Sequence, residues 1–359
     1  VKPDPAISGR ISIAGHEVGA GRPSFIIAEV AQAHEGSLGM AHAYIDAAAE
    51  SGVDAIKFQT HIADAESTRD EKFRVPMSGQ DASRFDYWKR MEFTPEQWAG
   101  LFKHAAEKNI VFLSSAFSVP AVELLASLGM SAWKVGSGEF RSQDLLEAMR
   151  KAGGPVLLST GMSRTEEVAE AVAYFTKNSM EYALFQCTSM YPTPLEKAGV
   201  NVIGQYRAAY NCPVGLSDHT GTVYPSLMAM AQGADLIEVH VTFDRRMYGP
   251  DAKASLTFAE IAHLAQARDA FHTMAMNPVD KDKQADEMDT MRQLFTKSIA
   301  LKSPAAKGAV ISADMIVPKK PGTGIPYTER EKIIGKVLAR DVPQDRLLAW
   351  EDVGVSKGA

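Results

Sequence analysis

Eight short apolar runs recur between Phe25 and Thr242: FIIAEV, AIKFQT, VFLSSAF, AWKVGSG, PVLLSTG, YALFQCT, VGLSDH and LIEVHVT. Each is separated from the next by a stretch with helical apolar spacing. Strand and helix alternating in this way call for parallel strands joined by crossover helices, and eight repeats favour closure into a (β/α)8 barrel, an α/β TIM-barrel fold. An open doubly wound sheet is the alternative, but it offers no reason to stop at eight units. Helix starts are marked by residues that can satisfy free first-turn amides. Thr94, Pro95 and Gln97 are expected to open a helix over 95–108, and Ser118 with Pro120 the next; Ser163 with Glu166, and Thr257 with Glu260, fit capping boxes. The last helix of the series sets Phe258, Ile261, Leu264 and Phe271 along one side.

The flanks of this series differ from it. Residues 9–24 read as a hairpin, with Gly15 and His16 between two alternating runs, suited to plug or cover the barrel. The expected domain division is 1–275 for barrel and hairpin, 276–294 for a polar, charged linker, and 295–359 for a small β-rich domain. Two similar stretches in that domain, AVISADMI (309–316) and RLLAWEDV (346–353), suggest pseudo-symmetric halves separated by the basic turn VPKKPGTGI. Between the second strand and its helix lies a long charged insertion, 62–93, containing RFDYWKR. Loops after barrel strands lie on the face where function concentrates, so this one is expected to wall an active site. A solvated excursion or a dimer contact is the competing reading.

Charge and cysteine content narrow the function classes. A net charge of −6 gives no nucleic-acid footprint and no polybasic membrane patch. The two cysteines, Cys187 and Cys212, sit in or beside apolar runs and are expected to be reduced and structural. No apolar stretch approaches a membrane span and residues 1–10 offer no signal-peptide core, so a cytoplasmic location is expected. A chain starting at Val1 is expected to have lost its initiator methionine.

The strand ends carry the chemistry. In LIEVHVT, Ile237, Val239 and Val241 alternate with Glu238, His240 and Thr242, and in VGLSDHT, Ser217 and His219 share a face. If these two strands are parallel neighbours, both imidazoles point into one polar interior at the same level. A lone histidine is more often a satisfied core residue. Two placed together can ligate a metal and leave positions open for substrate and water. Lys57, Gln59 and His61 share a face of the second strand; the other ends supply Glu29, Ser114, Ser115, Lys134, Ser137, Glu139, Ser159, Thr160, Ser189 and Tyr191. An apolar barrel does not need so many polar groups inside, because each costs free energy unless satisfied. Lysines with serines suit a phosphate or carboxylate, and histidines with acids suit a metal and proton transfer. Blander roles exist for each alone: an internal ion pair for Lys57 or Lys134, a helix cap for Ser114 or Thr160, a counter-charge for Glu29.

Seven segments in order, IAEVAQAHEG, IKFQTH, WKVGSGE, LLSTGM, CTSMYPTP, GLSDHT and GPDAKASL, resemble the sialic acid synthase family, and the similarity extends to a C-terminal domain like the type III antifreeze proteins (the SAF domain). The resemblance implies condensation of phosphoenolpyruvate with an N-acylated amino-sugar aldehyde and water, by C–O cleavage, to a nonulosonic acid and phosphate. It implies Lys57, Gln59, Ser115, Lys134, Ser137, Ser159, Ser189 and Ser217 as phosphoenolpyruvate ligands, and His219 and His240 as ligands of a divalent metal, usually Mn2+, with Mg2+ or Co2+ as alternatives. Glu29 is expected to act on the attacking water, and Glu139, Tyr191, Asp251 and Lys320 on the sugar. It also implies a domain-swapped homodimer. Lys320 stands where such chains usually carry arginine, AEVAQAHEG replaces patterns such as AEIGINHNG, and Ala252 replaces a histidine of some members. These departures border the sugar, so N-acetylmannosamine is the default substrate and legionaminate- or pseudaminate-type precursors compete. A Schiff-base aldolase using Lys134, and a non-catalytic sugar-binding paralogue, are readings from other classes.

Overall fold

The structure, a computed structural model, describes residues 9–73 and 80–354. The chain divides into two compact units, Val1–Met276 and Asn277–Ala359.

The first unit opens with the antiparallel hairpin β1 (Ile11–Ile13) and β2 (His16–Val18). Its turn is Ala14–Gly15, so His16 belongs to the second strand rather than to the turn. Ile11, Ile13 and Val18 join the barrel core. Gly9 lies so close to Asn211, ahead of a barrel strand, that an added Cβ would meet its carbonyl oxygen at 2.7 Å. The hairpin therefore plugs the amino end of the barrel.

Eight parallel strands follow: β3 (Phe25–Ala31), β4 (Ala55–Thr60), β5 (Val111–Ala116), β6 (Trp133–Val135), β7 (Val156–Ser159), β8 (Tyr182–Cys187), β9 (Val214–Asp218) and β10 (Leu236–Thr242). Each pairs with the next, and β10 pairs back with β3, closing the barrel. All eight predicted strands are present. Between them run α1 (Leu38–Glu50), α2 (Ala63–Glu66), α3 (Arg84–Met91), α4 (Pro95–Glu107), α5 (Val119–Ser127), α6 (Gln143–Ala152), α7 (Thr165–Lys177), α8 (Asn201–Ala209) and α9 (Tyr224–Ala231). After the short β11 (Leu256–Thr257), α10 (Phe258–Met276) completes the ring, with Ile261 and Leu264 buried and Phe258 and Phe271 packed against the same core.

The caps test the sequence rules locally. Thr94 accepts from Gln97 N–H while Gln97 caps Thr94 N–H, as expected. Ser118 occupies the N-cap position of α5, but its hydroxyl makes no cap bond. The expected Ser163–Glu166 box is displaced by one residue: Glu167 accepts from Arg164 N–H, and α7 begins at Thr165. Glu260 accepts from both N–H and hydroxyl of Thr257.

In the second unit the polar stretch expected as a linker folds into α11 (Lys281–Glu287) and α12 (Asp289–Phe295), with Asp280 capping the first. The rest is a small β structure with β12 (Ser298–Leu301) paired to β13 (Ile316–Lys319) and isolated bridges, including Val310 to Val337 and Ala300 to Leu347. The two similar stretches bury equivalent positions, Ile311 with Leu348 and Ile316 with Val353. Among the described residues no helix is long and apolar enough to cross a membrane.

Candidate active site

Strand register decides what meets at the barrel's carboxyl end. Ser217 pairs with Glu238, His240 with Glu29, Glu29 with Lys57, Gln59 with Ser115, and Ser115 with Lys134. Because inward side chains recur at every second residue, these neighbours project into one cavity of about 420 Å³. Thirteen of the residues expected from sequence line it: Glu29, Lys57, Gln59, Ser115, Lys134, Ser137, Glu139, Ser159, Ser189, Tyr191, Ser217, His219 and His240. Asp251 is not among the lining residues but lies behind His240, its Oδ2 3.7 Å from the imidazole Nδ1. Lys320 belongs to the second unit, where its Nζ stands 5.1 Å from the centre of the Phe295 ring.

The floor is an ion cluster. Lys57 Nζ lies 2.6 Å from Glu29 Oε2 and 3.7 Å from Glu238 Oε2, and donates to Ser115 Oγ at 3.2 Å. Lys134 Nζ donates to Ser159 Oγ at 2.7 Å and reaches Glu238 Oε1 at 3.2 Å, while Ser217 Oγ donates to Glu238 Oε1 at 2.8 Å. All are buried. Burial dominates Glu29 and, with help from the negative charge of Glu238, pushes its pKa up to about 7 despite Lys57. Burial works on Glu238 in the same sense, but Lys134 and Lys57 together outweigh it and hold that carboxyl well below the usual range. The two carboxylates thus take different states near neutrality: Glu238 is the fixed counter-ion, and Glu29 is poised to exchange a proton.

Hydroxyls converge around Gly161, which follows β7. Its N–H donates to Ser137 Oγ at 2.9 Å. A Cβ there would stand 2.5 Å from Ser189 Oγ, 2.8 Å from Cys187 Sγ and 2.9 Å from Ser137 Oγ. Only a glycine lets this cradle of donors close, and with Lys134 nearby it suits an anion. Cys187 lines the cavity as well, with burial raising its thiol pKa, in keeping with a non-nucleophilic role.

The imidazoles of His219 and His240 face each other with ring centres 5.2 Å apart. Burial lowers His219 to about 4, and burial, then His219, hold His240 well below the ordinary imidazole value, so both are neutral. His219 Nδ1 donates to Thr188 O at 3.1 Å, which leaves Nε2 with its lone pair, 3.2 Å from Tyr191 OH. A neutral ring with its tautomer set by a backbone carbonyl is what a metal ligand needs. Among the described residues no group of three or more His, Cys, Asp or Glu side chains could hold a metal ion, so these two histidines could supply only part of a coordination sphere.

The insertion walls the cavity with Glu66, Glu71, Arg84 and Trp88; its residues 74–79 lie outside those described. Sequence reasoning missed Glu238, although its place two residues before His240 on the polar face was the available signal. Gly161 and the role of Cys187 had none. Ser114 and Thr160 prove structural: Ser114 Oγ bonds Thr60 Oγ1 at 2.8 Å, and Thr160 Oγ1 donates to Phe185 O at 2.9 Å.

Residues 44–279 match the NeuB family and residues 296–354 the SAF domain. The chain is 31% identical over 333 residues to the N,N'-diacetyllegionaminic acid synthase of Campylobacter jejuni, covering 91% of this chain and 99% of that protein. It is 30% identical over 342 residues to the human N-acetylneuraminate-9-phosphate synthase, covering 94% of each. The crystal structure of an N-acetylneuraminic acid synthetase from Leptospira borgpetersenii superposes with TM-score 0.70 at 29% identity, covering 80% of this chain and 98% of that one.

Proposed function

The chain belongs to the NeuB family, and on that premise we propose that it condenses phosphoenolpyruvate with an N-acylated amino-sugar aldehyde and water, giving a nonulosonic acid and phosphate. The observation that carries this reading is the anion cradle of Lys57, Lys134 and the serines set beside a neutral histidine pair and a proton-exchanging carboxyl. In this reading Lys57, Lys134, Ser115, Ser137, Ser159, Ser189, Ser217 and Gln59 hold phosphoenolpyruvate. Its C3 forms the new bond to the aldehyde carbon, water adds at C2, and the bond from C2 to the phosphate oxygen breaks. Glu29 orients that water and accepts its proton, as a carboxyl near pH 7 can do. Glu139 and Tyr191 face the sugar, Asp251 acts on it only through the His240 imidazole beside it, and Lys320 contacts it from the partner chain of a domain-swapped homodimer.

His219 and His240 would hold a divalent ion, Mn2+ or else Mg2+ or Co2+, which would polarise the aldehyde oxygen as a Lewis acid. Burial keeps both rings unprotonated and able to ligate.

N-acetylmannosamine is the default sugar; the relatives named for N,N'-diacetyllegionaminic acid and pseudaminic acid synthesis make those precursors its competitors. A Schiff-base aldolase is disfavoured, because Lys134 is engaged by Ser159 and Glu238 in the manner of an anion donor. The test is release of inorganic phosphate from phosphoenolpyruvate by metal-stripped protein, with and without Mn2+, across a panel of acylated amino sugars. Release that requires both Mn2+ and one sugar supports the reading. Borohydride-trapped pyruvate adducts without phosphate release would replace it with the aldolase.

A further inference from the structure

Lys57, Gln59 and His61 form the inward row at the end of β4, and the third member reaches away from the ion cluster into the insertion. The His61 imidazole is sandwiched between Trp88, 3.9 Å away at 15°, and Phe117, 4.3 Å away at 10°. Its Nδ1 is in hydrogen-bond contact with Glu66 Oε1, and its Nε2 lies 3.3 Å from Gln59 Oε1. The second oxygen of Glu66 accepts from Ile62 N–H at 3.3 Å. Gln59 Nε2 donates to Glu29 Oε1 at 3.0 Å, and Gln32 Nε2 donates to Gln59 Oε1 at 3.4 Å.

These bonds have one consistent polarity. A carboxylate only accepts, and an amide donates from one end and accepts at the other. With the Gln59 NH2 on Glu29, the Gln59 carbonyl faces His61, so Nε2 must donate. Nδ1 faces a carboxylate and must donate too. Both ring nitrogens then carry hydrogen, and the resulting positive ring is met by Glu66 at its edge and by two π faces. Turning the Gln59 amide over would set its carbonyl oxygen against a Glu29 oxygen, an acceptor against an acceptor.

We propose that His61, held by Glu66, is a positioning residue that fixes the Gln59 amide with its NH2 toward Glu29 and so orients the carboxylate for the attacking water. This rests on the reading of Glu29 as the group that acts on that water. His61 touches neither water nor substrate in this role; it works through Gln59 alone.

The test uses H61F, which keeps a ring between Trp88 and Phe117 but removes the Nε2 donor that faces Gln59. Its kcat is expected to fall about ten- to hundredfold, the worth of one hydrogen bond to a charged group, with KM for phosphoenolpyruvate within twofold and the unfolding temperature unchanged. The same change should have no further effect in a Gln59→Ala background, since the route passes through Gln59. Equal effects of H61F in both backgrounds, or H61F within twofold of wild type in kcat, overturn the proposal. Ring-nitrogen NMR of the resting protein, with His61 assigned among the nine histidines by H61F, gives a readout independent of turnover. Two protonated nitrogens in wild type and one in E66Q support the relay, and one in wild type overturns it. Absence of any turnover by wild type sinks the synthase reading, and the NMR result still decides the relay.

Discussion

Gly161→Ala separates binding of the anion from everything else in the cavity. The added methyl would sit within 3.0 Å of three heteroatoms, Ser189 Oγ, Cys187 Sγ and Ser137 Oγ, and the Gly161 N–H already donates to Ser137. Gly161 is not in the left-handed region, so alanine strains no backbone, and the cost falls on the cradle. Making room displaces one or two hydroxyls from the anion. A hydrogen bond to a charged group contributes about 1.5–3 kcal/mol, so losing even one of them weakens binding by roughly 10- to 150-fold, and losing two by more. KM for phosphoenolpyruvate is therefore expected to rise by that factor. KM for the sugar and kcat at saturating phosphoenolpyruvate should change by no more than about threefold, because neither depends on ground-state anion affinity. Steady-state phosphate release at varied phosphoenolpyruvate, with the unfolding temperature checked in parallel, measures both. A KM within threefold of wild type in a normally folded variant would refute the assignment of this cradle to the anion.

Glu29 gives a pH dependence of definite sign. Its folded pKa of about 7 stands above the ordinary carboxyl value of 4.5, so the fold binds the extra proton between the two. Its contribution to stability is full below 4.5 and is lost as pH rises through about 7, whereas activity needing the carboxylate rises over the same limb. In Glu29→Gln the kcat/KM limb near pH 7 should vanish, and unfolding temperature relative to wild type should be higher at pH 8 than at pH 5; an unaltered limb assigns it to another group. His219→Ala should weaken Mn2+ binding by at least ~100-fold in direct titration of the protein, and unchanged affinity would remove the histidine pair from metal binding. Gly215→Ala sets a Cβ 2.4 Å from the Leu236 carbonyl oxygen between β9 and β10 and should cost roughly 1–3 kcal/mol in urea unfolding. Gly204→Ala on α8 meets nothing and should stabilise by about 0.5–1 kcal/mol; equal effects of the two would show that packing at Gly215 is looser than described.

The elements and their inward and outward faces were legible in the residue pattern. Period-two alternation in LIEVHVT and AIKFQT, and the run of strand and helix between them, were enough for eight strands, a closed barrel and a polar interior, because inward and outward residues must alternate along any strand with an occupied interior. Thr94 and Gln97 announced a helix start because capping is a contact between residues three apart. Local rules left a choice between Ser163 and Arg164 as the cap of α7, because both stand three residues before a glutamate, and the Arg164–Glu167 pair is the one that forms. The polar stretch of α11 and α12 shows the same limit, since a short polar helix has no apolar stripe to announce it.

Which inward groups meet depends on strand register and on barrel closure, which no local pattern carries. Register set Glu238 against Ser217 and between two lysines, and so made it a fixed counter-ion, while burial left Glu29 near neutrality. A sequence can say that a carboxyl faces inward, but the charges arriving from strands far away along the chain set its proton affinity. The same holds for Gly161, whose missing side chain matters only because Ser137, Cys187 and Ser189 come from other strand ends to fill the space beside it.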